Sequence, residues 1–235
     1  MQSNFTWSKA LGTGSLYQAV SAYAPMDSFN LGEEYGRQGF DRKLVYNAFV
    51  IYQPPIFKGQ HGPLGRLLGG WTFASVFTAG SGTPDQFGTT FCCGQEFGGT
   101  DNVNYGTIED AVPISPVTHE HAYYNSPSNA LPVNAFKNGV AEASNWRNPI
   151  LGLDDRACGN GCLSGLPYWN MDFSIKKNIR IAETVSFEVQ GVFSNVLNHM
   201  QWLDGFANLY NTAGWGALGG EAAPRNIQIA GRVRF

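Results

Sequence analysis

Hydrophobic and polar residues alternate with a period of two in six segments of this 235-residue chain. Such alternation predicts a β-strand whose two faces meet different surroundings. In chain order the segments are NFTWSK, RKLVYNAFVIYQ, GGWTFASVFTAG, YWNMDFSIKKN, TVSFEVQGVFSN and RNIQIAGRVRF. Most have about ten residues, which is the length that a tilted strand needs to cross a bilayer.

Five charged residues in the last three segments fall on the strand face opposite the aromatic residues. The face that we expect to contact lipid carries Trp169, Phe173, Phe187, Val189 and Val233. The face that we expect to line a watery lumen carries Asp172, Lys176, Glu188, Arg232 and Arg234. A lysine or arginine at mid-depth on a lipid face costs about 2–4 kcal/mol, which explains why charges would keep to one side.

The connections between the segments alternate between long and short, and the longest spans residues 81–166. Long loops on one side and short turns on the other are typical of transmembrane barrels. Strands survive in lipid only when their backbone groups pair with other strands. The sequence therefore predicts an all-β protein, an antiparallel transmembrane β-barrel segment of about six strands in three hairpins with long extracellular loops. The alternative is a soluble exported β-sandwich that binds a ligand such as a carbohydrate, with the aromatic residues filling its core.

Composition excludes several other functions. With 15 basic and 18 acidic residues, the chain has no charge excess for binding nucleic acid. It has no run of about 20 apolar residues, which a membrane helix needs. No nucleophile elbow, phosphate loop or pair of catalytic carboxylates is present, so we expect neither enzymatic activity nor a cofactor. A secreted enzyme would need a cluster of titratable residues that the sequence does not offer.

The four cysteines lie in two tight groups within the 81–166 connection. They are Cys92 and Cys93 in FCCGQ, and Cys158 and Cys162 in RACGNGC. An even number favours two disulfides in an oxidising compartment, with the pairing left open. A zinc site with four thiolates is the alternative, although adjacent cysteines are awkward ligands for one tetrahedral ion.

The same connection holds the weak metal candidates His119 and His121 and several aromatic residues. Alternate histidines on an extended segment point to the same side and could hold a metal, but no third ligand group is obvious, and a solvated loop is the favoured interpretation. The aromatic residues of the long connections are Tyr123, Tyr124, Trp146, Trp202, Tyr210 and Trp215. They could stack on sugars or grip peptides, or they could pack inside ordered glycine-rich loops.

Five stretches, in this order and spacing, resemble TonB-dependent outer-membrane receptors. They are FDRKLVYNAFVIYQPP, LLGGWTFASVFTAGSGTP, WNMDFSIKKNIRI, VQGVFSNVLNHMQW and RNIQIAGRVRF, and they are most similar to Oar-like receptors, which carry a carboxypeptidase-regulatory-like domain. The resemblance implies a barrel of about 22 strands closed by an N-terminal plug. It also implies import of a scarce small ligand, oligosaccharide or peptide, with energy delivered through TonB. No plug or secretory signal is recognisable, so residues 1–235 are expected to be the C-terminal portion of such a barrel, and TonB would contact only the missing N-terminal part.

The terminal aromatic residue gains a meaning from this resemblance. Receptors of this kind end in a strand that the barrel-assembly machinery recognises, and Val233 and Phe235 match its hydrophobic positions, although Ala230 stands where a glycine is frequent. The expected location is the bacterial outer membrane, with Phe235 in the periplasm and the long connections outside the cell. The expected partners are the outer-membrane lipid, the assembly machinery, and the remaining strands and plug of the receptor.

Overall fold

A six-stranded antiparallel sheet is the main element of the computed structural model, which describes residues 1–13, 32, 35–85, 112–115, 117, 121–124, 133–147, 163–182, 184–203 and 214–235. The strands are β1 (Gln2–Trp7), β2 (Leu44–Tyr52), β3 (Trp71–Gly80), β4 (Tyr168–Arg180), β5 (Ser186–Ser194) and β6 (Asn226–Arg234). Their order in the sheet is their order in the chain. All six predicted strands are therefore present, and each pairs with its neighbours in sequence.

The pairing register determines which residues share a face. Phe173 lies opposite Ser75 and Phe193, and Phe187 lies opposite Val233. One face, called here the aromatic face, carries Phe5, Trp7, Tyr46, Tyr52, Trp71, Phe73, Phe77, Trp169, Phe173, Phe187, Val189, Phe193 and Val233. The other, called the charged face, carries Asp172, Lys176, Glu188, Arg232 and Arg234. The register therefore places these residues on two faces in the way that the sequence predicted.

The sheet is open, with β1 and β6 at its two edges. Within the ranges given above, no second sheet packs on the aromatic face, and its side chains stay accessible: Val233 is 55% exposed and Trp7 is 71% exposed. A sandwich would have buried these side chains between two layers. The arrangement required by the soluble alternative is thus not formed by the part of the chain that the structure covers.

Among the residues that the structure describes, the connections contain two short helices and four small two-stranded ribbons. The helices are α1 (Gly62–Leu68), between β2 and β3, and α2 (Gly139–Ala143), between β3 and β4. The ribbons pair Leu11–Gly12 with Gly36–Arg37, Pro84–Asp85 with Leu163–Ser164, Val112–Pro113 with Trp146–Arg147, and Tyr123–Tyr124 with Val133–Asn134. Neither helix has the length or the hydropathy to cross a membrane, and no other described segment forms one that does.

The buried apolar core lies in the connections rather than on the sheet. This loop core consists of Val133, Ala135, Phe136, Ala143, Trp146, Leu163, Trp215 and Leu218. It is drawn from the connections β3–β4 and β5–β6, which leave the same end of the sheet, called here the loop end. Asn134 is fully buried beside it, where its amide donates to the Trp215 carbonyl (2.7 Å) and accepts from the Phe136 N–H (2.8 Å). Satisfying both ends of this amide makes its burial tolerable.

Candidate functional site

The aromatic face is organised in rows that run across neighbouring strands. Phe77 of β3 lies between Tyr46 (6.1 Å between ring centroids) and Trp169 (6.3 Å). Farther from the loop end, Phe173 lies between Phe73 (6.4 Å between ring centroids) and Phe193 (6.2 Å). The end of the sheet opposite the loop end, where Arg234 lies, is called here the C-terminal end. Aromatic pairs at these distances attract each other beyond simple burial. The rows therefore join neighbouring strands on the aromatic face through their side chains.

An open apolar groove of about 760 Å³ lies on the aromatic face near the loop end. Its walls include Phe5, Leu44, Tyr46, Phe77 and Trp169. Arg42 contacts two residues that line the groove. The Arg42 guanidinium lies over the Tyr168 ring (4.6 Å to the centroid) and donates to the Ser81 carbonyl (2.7 Å). A surface of this kind suits hydrocarbon better than water.

On the charged face, Glu188 is the centre of an ion-pair cluster. Its carboxylate lies 3.7 Å from the Lys176 ammonium and 3.5 Å from the Arg234 guanidinium. Arg232 lies directly opposite Glu188 in the register. The strands β4, β5 and β6 are thus joined by charges as well as by backbone hydrogen bonds.

Lys177 is the exception to the division of charges. It lies opposite Trp71 and Val189, on the aromatic face, and it is nearly buried. Its ammonium donates to the carbonyls of Leu67 (2.8 Å) and Gly69 at the end of α1, and it lies 4.8 Å from the centre of the Trp71 ring. A cation suits both partners, because helix C-termini are partially negative and the ring face is electron-rich.

The charged face is not uniformly polar either. Phe49 and Val76 lie opposite each other on it, with Ile51 one pair farther along, and all three are exposed. These residues form an apolar patch on β2 and β3, beside the ionic half of the face. A face lined only by water would not favour such a patch.

Asparagines fix the turn that leaves β5 at the loop end. Asn195 and Asn198 in the NVLNH stretch both have left-handed backbone angles (φ 51° and 50°), which asparagine tolerates better than most residues. The Asn195 side-chain oxygen accepts from the His199 backbone N–H (2.8 Å). The backbone N–H of Asn195 donates to the Asp172 carboxylate (2.8 Å). The turn therefore gives Asp172 a structural partner on the charged face.

Asp41 ties the first connection to the loop end. It is 3% exposed, accepts from the Arg37 guanidinium (2.8 Å) and accepts from the Ala10 N–H (2.9 Å). Arg37 in turn donates to the Ser164 hydroxyl (2.7 Å). This network links the β1–β2 and β3–β4 connections.

The comparisons with known proteins agree with this geometry. A family model described as an outer membrane beta barrel domain matches residues 1–228, nearly the whole chain. The chain belongs to this outer-membrane β-barrel family. No curated protein and no solved structure matches it. Membership places this barrel chain in the bacterial outer membrane, in contact with its lipid.

Several predicted residues of this outer-membrane barrel chain remain untested. All four cysteines and His119 lie outside the described residues, so neither the disulfides nor the zinc alternative is decided. The His121 backbone N–H donates to the Ala135 carbonyl (3.2 Å), and the His121 ring meets the Tyr123 ring edge-on (6.0 Å between ring centroids). In the described ranges no three potential metal ligands come together.

The loop tryptophans have a structural role. Trp146 and Trp215 pack against each other in the loop core (5.9 Å between ring centroids) and are almost fully buried. For these two residues, packing inside ordered loops is the correct alternative. Tyr124 is different, because it is 64% exposed and its hydroxyl accepts from the Trp202 indole (3.2 Å). Tyr210 lies outside the described residues.

Two features were missed by the sequence reasoning, although signals for both were present. Lys176 and Lys177 are adjacent in a strand, so one of them had to lie on the aromatic face. In GPLGRLL, a proline in the first turn and leucines at positions 64, 67 and 68 have the spacing of a helix. The two missed features meet in the structure, because Lys177 binds the end of α1.

Proposed function

We propose that this chain is part of the wall of an outer-membrane receptor of the TonB-dependent type, similar to the Oar-like receptors, that captures and imports a scarce extracellular ligand. The open six-stranded sheet with two unlike faces carries this proposal. In lipid, the free edges of β1 and β6 need further strands, and the smallest single-chain barrels have eight. The transport role belongs to the closed receptor, and no catalytic role is proposed.

The aromatic face would contact lipid, and the charged face would line the lumen. Trp169 and Trp7 lie at the loop end of the aromatic face, while Tyr52 and Trp71 lie at the C-terminal end. Aromatic residues at both ends of the strands suit the two headgroup regions of a membrane. The Glu188 cluster, with its exposed Arg234, suits a lumen that holds water.

The apolar patch of Phe49, Ile51 and Val76 supports a plugged lumen over an open channel. A plug domain packed against β2 and β3 would cover these side chains, whereas water would leave them exposed. Barrels of about 22 strands have plugged lumens, and porins of about 16–18 strands have aqueous ones. This patch therefore favours the receptor class within the outer-membrane family.

The orientation follows from the C-terminal strand, whose Val233 and Phe235 would be recognised by the barrel-assembly machinery on the periplasmic side. The loop end then lies outside the cell, with the loop core holding the long connections in place. Exposed residues of these connections, such as Tyr124, would contact the ligand.

The upstream DNA gives a direct test. We expect an open reading frame that continues before the Met1 codon and encodes a signal peptide, a plug and about sixteen further strands, the number that completes a 22-stranded barrel. A stop codon immediately upstream, together with channel activity of the purified chain, would contradict the receptor assignment.

Tag accessibility tests the orientation. An epitope inserted into the 81–166 connection should bind antibody on intact cells. A matched epitope inserted after Ala182, in the short β4–β5 turn, should bind only after the outer membrane is permeabilised. The reverse pattern would place the C-terminus outside.

A further inference from the structure

The connection between β2 and β3 folds into a helix whose apolar side chains point away from the protein. Leu64, Leu67 and Leu68 are all exposed, at the spacing that forms one stripe along α1. Arg66 lies on the opposite side of the helix, and Gly65 is the residue that α1 buries. Helices of water-soluble proteins turn their apolar stripe inward, so α1 is oriented for an apolar environment outside the chain.

This orientation is held by polar contacts from the aromatic face. The Leu67 carbonyl accepts from both the Lys177 ammonium (2.8 Å) and the Trp71 indole (3.1 Å). Lys177 and Trp71 lie opposite each other on adjacent strands of that face. Since both donors lie on the aromatic face, the end of α1 sits over the side of the sheet that contacts lipid in the proposed barrel.

Gln60 fixes the segment that precedes α1 in the same connection. Its side-chain amide donates to the Asn178 carbonyl (2.9 Å) and accepts from the Arg180 backbone N–H (2.9 Å), which continues the pairing of β4 beyond Trp71, the first residue of β3. Gly70 has a left-handed φ of 73°, and a Cβ there would lie 2.2 Å from the Gln60 amide nitrogen and 2.3 Å from the Asn178 carbonyl oxygen. Only glycine fits, so the chain returns to β3 along one fixed path.

We propose that α1 is an interfacial anchor, with Leu64, Leu67 and Leu68 inserted among phospholipids of the inner leaflet of the outer membrane. The choice of leaflet rests on the proposed orientation, because α1 lies at the same end of the sheet as Arg234. Ile56 and Phe57, both about half exposed, extend the apolar surface on the approach to α1. Lys58, directly after Phe57, supplies a cation for phosphate headgroups beside that surface, as in helices that lie in the membrane plane.

Site-specific photo-crosslinking in cells tests this anchor. Benzoylphenylalanine would replace Leu64, with the matched position Arg66 as control and Phe173 as reference for the lipid-facing wall. After irradiation of cells that express the protein, mass spectrometry identifies the adducts. We expect phospholipid adducts at positions 64 and 173, and several times fewer at position 66.

The outcomes separate the anchor from the wall. Adducts at 173 without adducts at 64, or equal yields at 64 and 66, would overturn the anchor and leave the wall intact. Adducts with lipopolysaccharide at 64 would also overturn it, because that lipid belongs to the outer leaflet. Absence of lipid adducts at both 64 and 173 would overturn the anchor together with the proposed function.

The adjacent lysines provide a matched pair of variants. Lys177→Met removes one of the two donors to the Leu67 carbonyl and the donor to the Gly69 carbonyl, so the adduct yield at position 64 should fall several-fold. Lys176→Met, on the charged face, should leave that yield unchanged. An unchanged yield in Lys177→Met would show that Lys177 does not position the helix.

Discussion

The sheet and the loop core place their large apolar side chains in opposite ways. On β6, the apolar residues of the aromatic face are exposed, with Ile229 at 80%. In the loop core, Trp215 and Leu218 are almost completely buried, and the polar Asn134 beside them has its hydrogen bonds satisfied. The loop core therefore obeys the rule for proteins in water, and the sheet obeys the rule for proteins in lipid.

This difference indicates that the two regions fold against different solvents. In lipid, burying apolar side chains inside the protein gains no hydrophobic free energy, whereas in water their burial is strongly favourable. The boundary between the two regimes lies at the loop end of the sheet, where Asp41 and Arg42 bind backbone groups and neighbouring side chains. Substitutions in the loop core should therefore lower the stability of the loops, whereas substitutions on the aromatic face should impair membrane insertion.

The largest effect is expected in the loop core. Trp215→Ala should lower the stability of the loop core by about 3–5 kcal/mol, because it removes a fully buried aromatic residue. The loops should become sensitive to protease on intact cells, while the amount of protein in the outer membrane stays the same. Tyr124→Ala, at an exposed position, serves as control. Loss of membrane insertion in Trp215→Ala would show that the two regions do not fold independently.

A charge on the aromatic face should give the converse result. Phe173→Arg should cost about 2–4 kcal/mol of insertion free energy, and Ser174→Arg on the other face should cost much less. The measurement is the fraction of folded protein in outer-membrane preparations of cells that express the receptor. Equal losses for the two variants would refute the assignment of the faces.

A substitution at Phe235 should distinguish an effect on assembly from an effect on stability. The residue is 98% exposed, so Phe235→Ala removes no packing within the chain. If the terminal aromatic is an assembly signal, the yield of inserted protein should fall several-fold while the urea midpoint of the inserted fraction stays unchanged. The control is Ile229→Ala, which also lies on β6 but away from the terminus. A lower midpoint for Phe235→Ala would assign the residue a packing role instead.

The smallest effect is expected on the charged face. Glu188→Gln removes the ion pairs with Lys176 and Arg234, which are long and partly open to water. Glu188 is buried, but both of its partners are more than a third exposed, so the pairs should contribute about 0.2–1 kcal/mol, and salt screens them. Urea unfolding at low and high salt measures the loss, with Lys176→Met and the double variant completing a mutant cycle. A loss comparable with that of Trp215→Ala would mean that the charged face is as dry as the loop core.

Much of the wall could be predicted from sequence because strand alternation is a local property. Trp169, Asp172, Phe173 and Lys176 alternate within one short stretch, and the solvents on the two sides of the wall impose that pattern residue by residue. Even the exception at Lys177 was encoded locally. Its acceptors were not, because the α1 carbonyls lie 110 residues away in the chain at Leu67.

The sequence by itself determined the six strands, their antiparallel order and the division of residues between two faces. Tertiary structure alone decided that Trp146 and Trp215 form a core rather than a binding surface, that Asp41 joins two connections, and that α1 docks on Lys177 and Trp71. The physical reason is the range of the interactions. Alternation reports the surroundings of each residue one by one, whereas a core such as that around Asn134 and Trp215, 81 residues apart, forms only when distant segments meet.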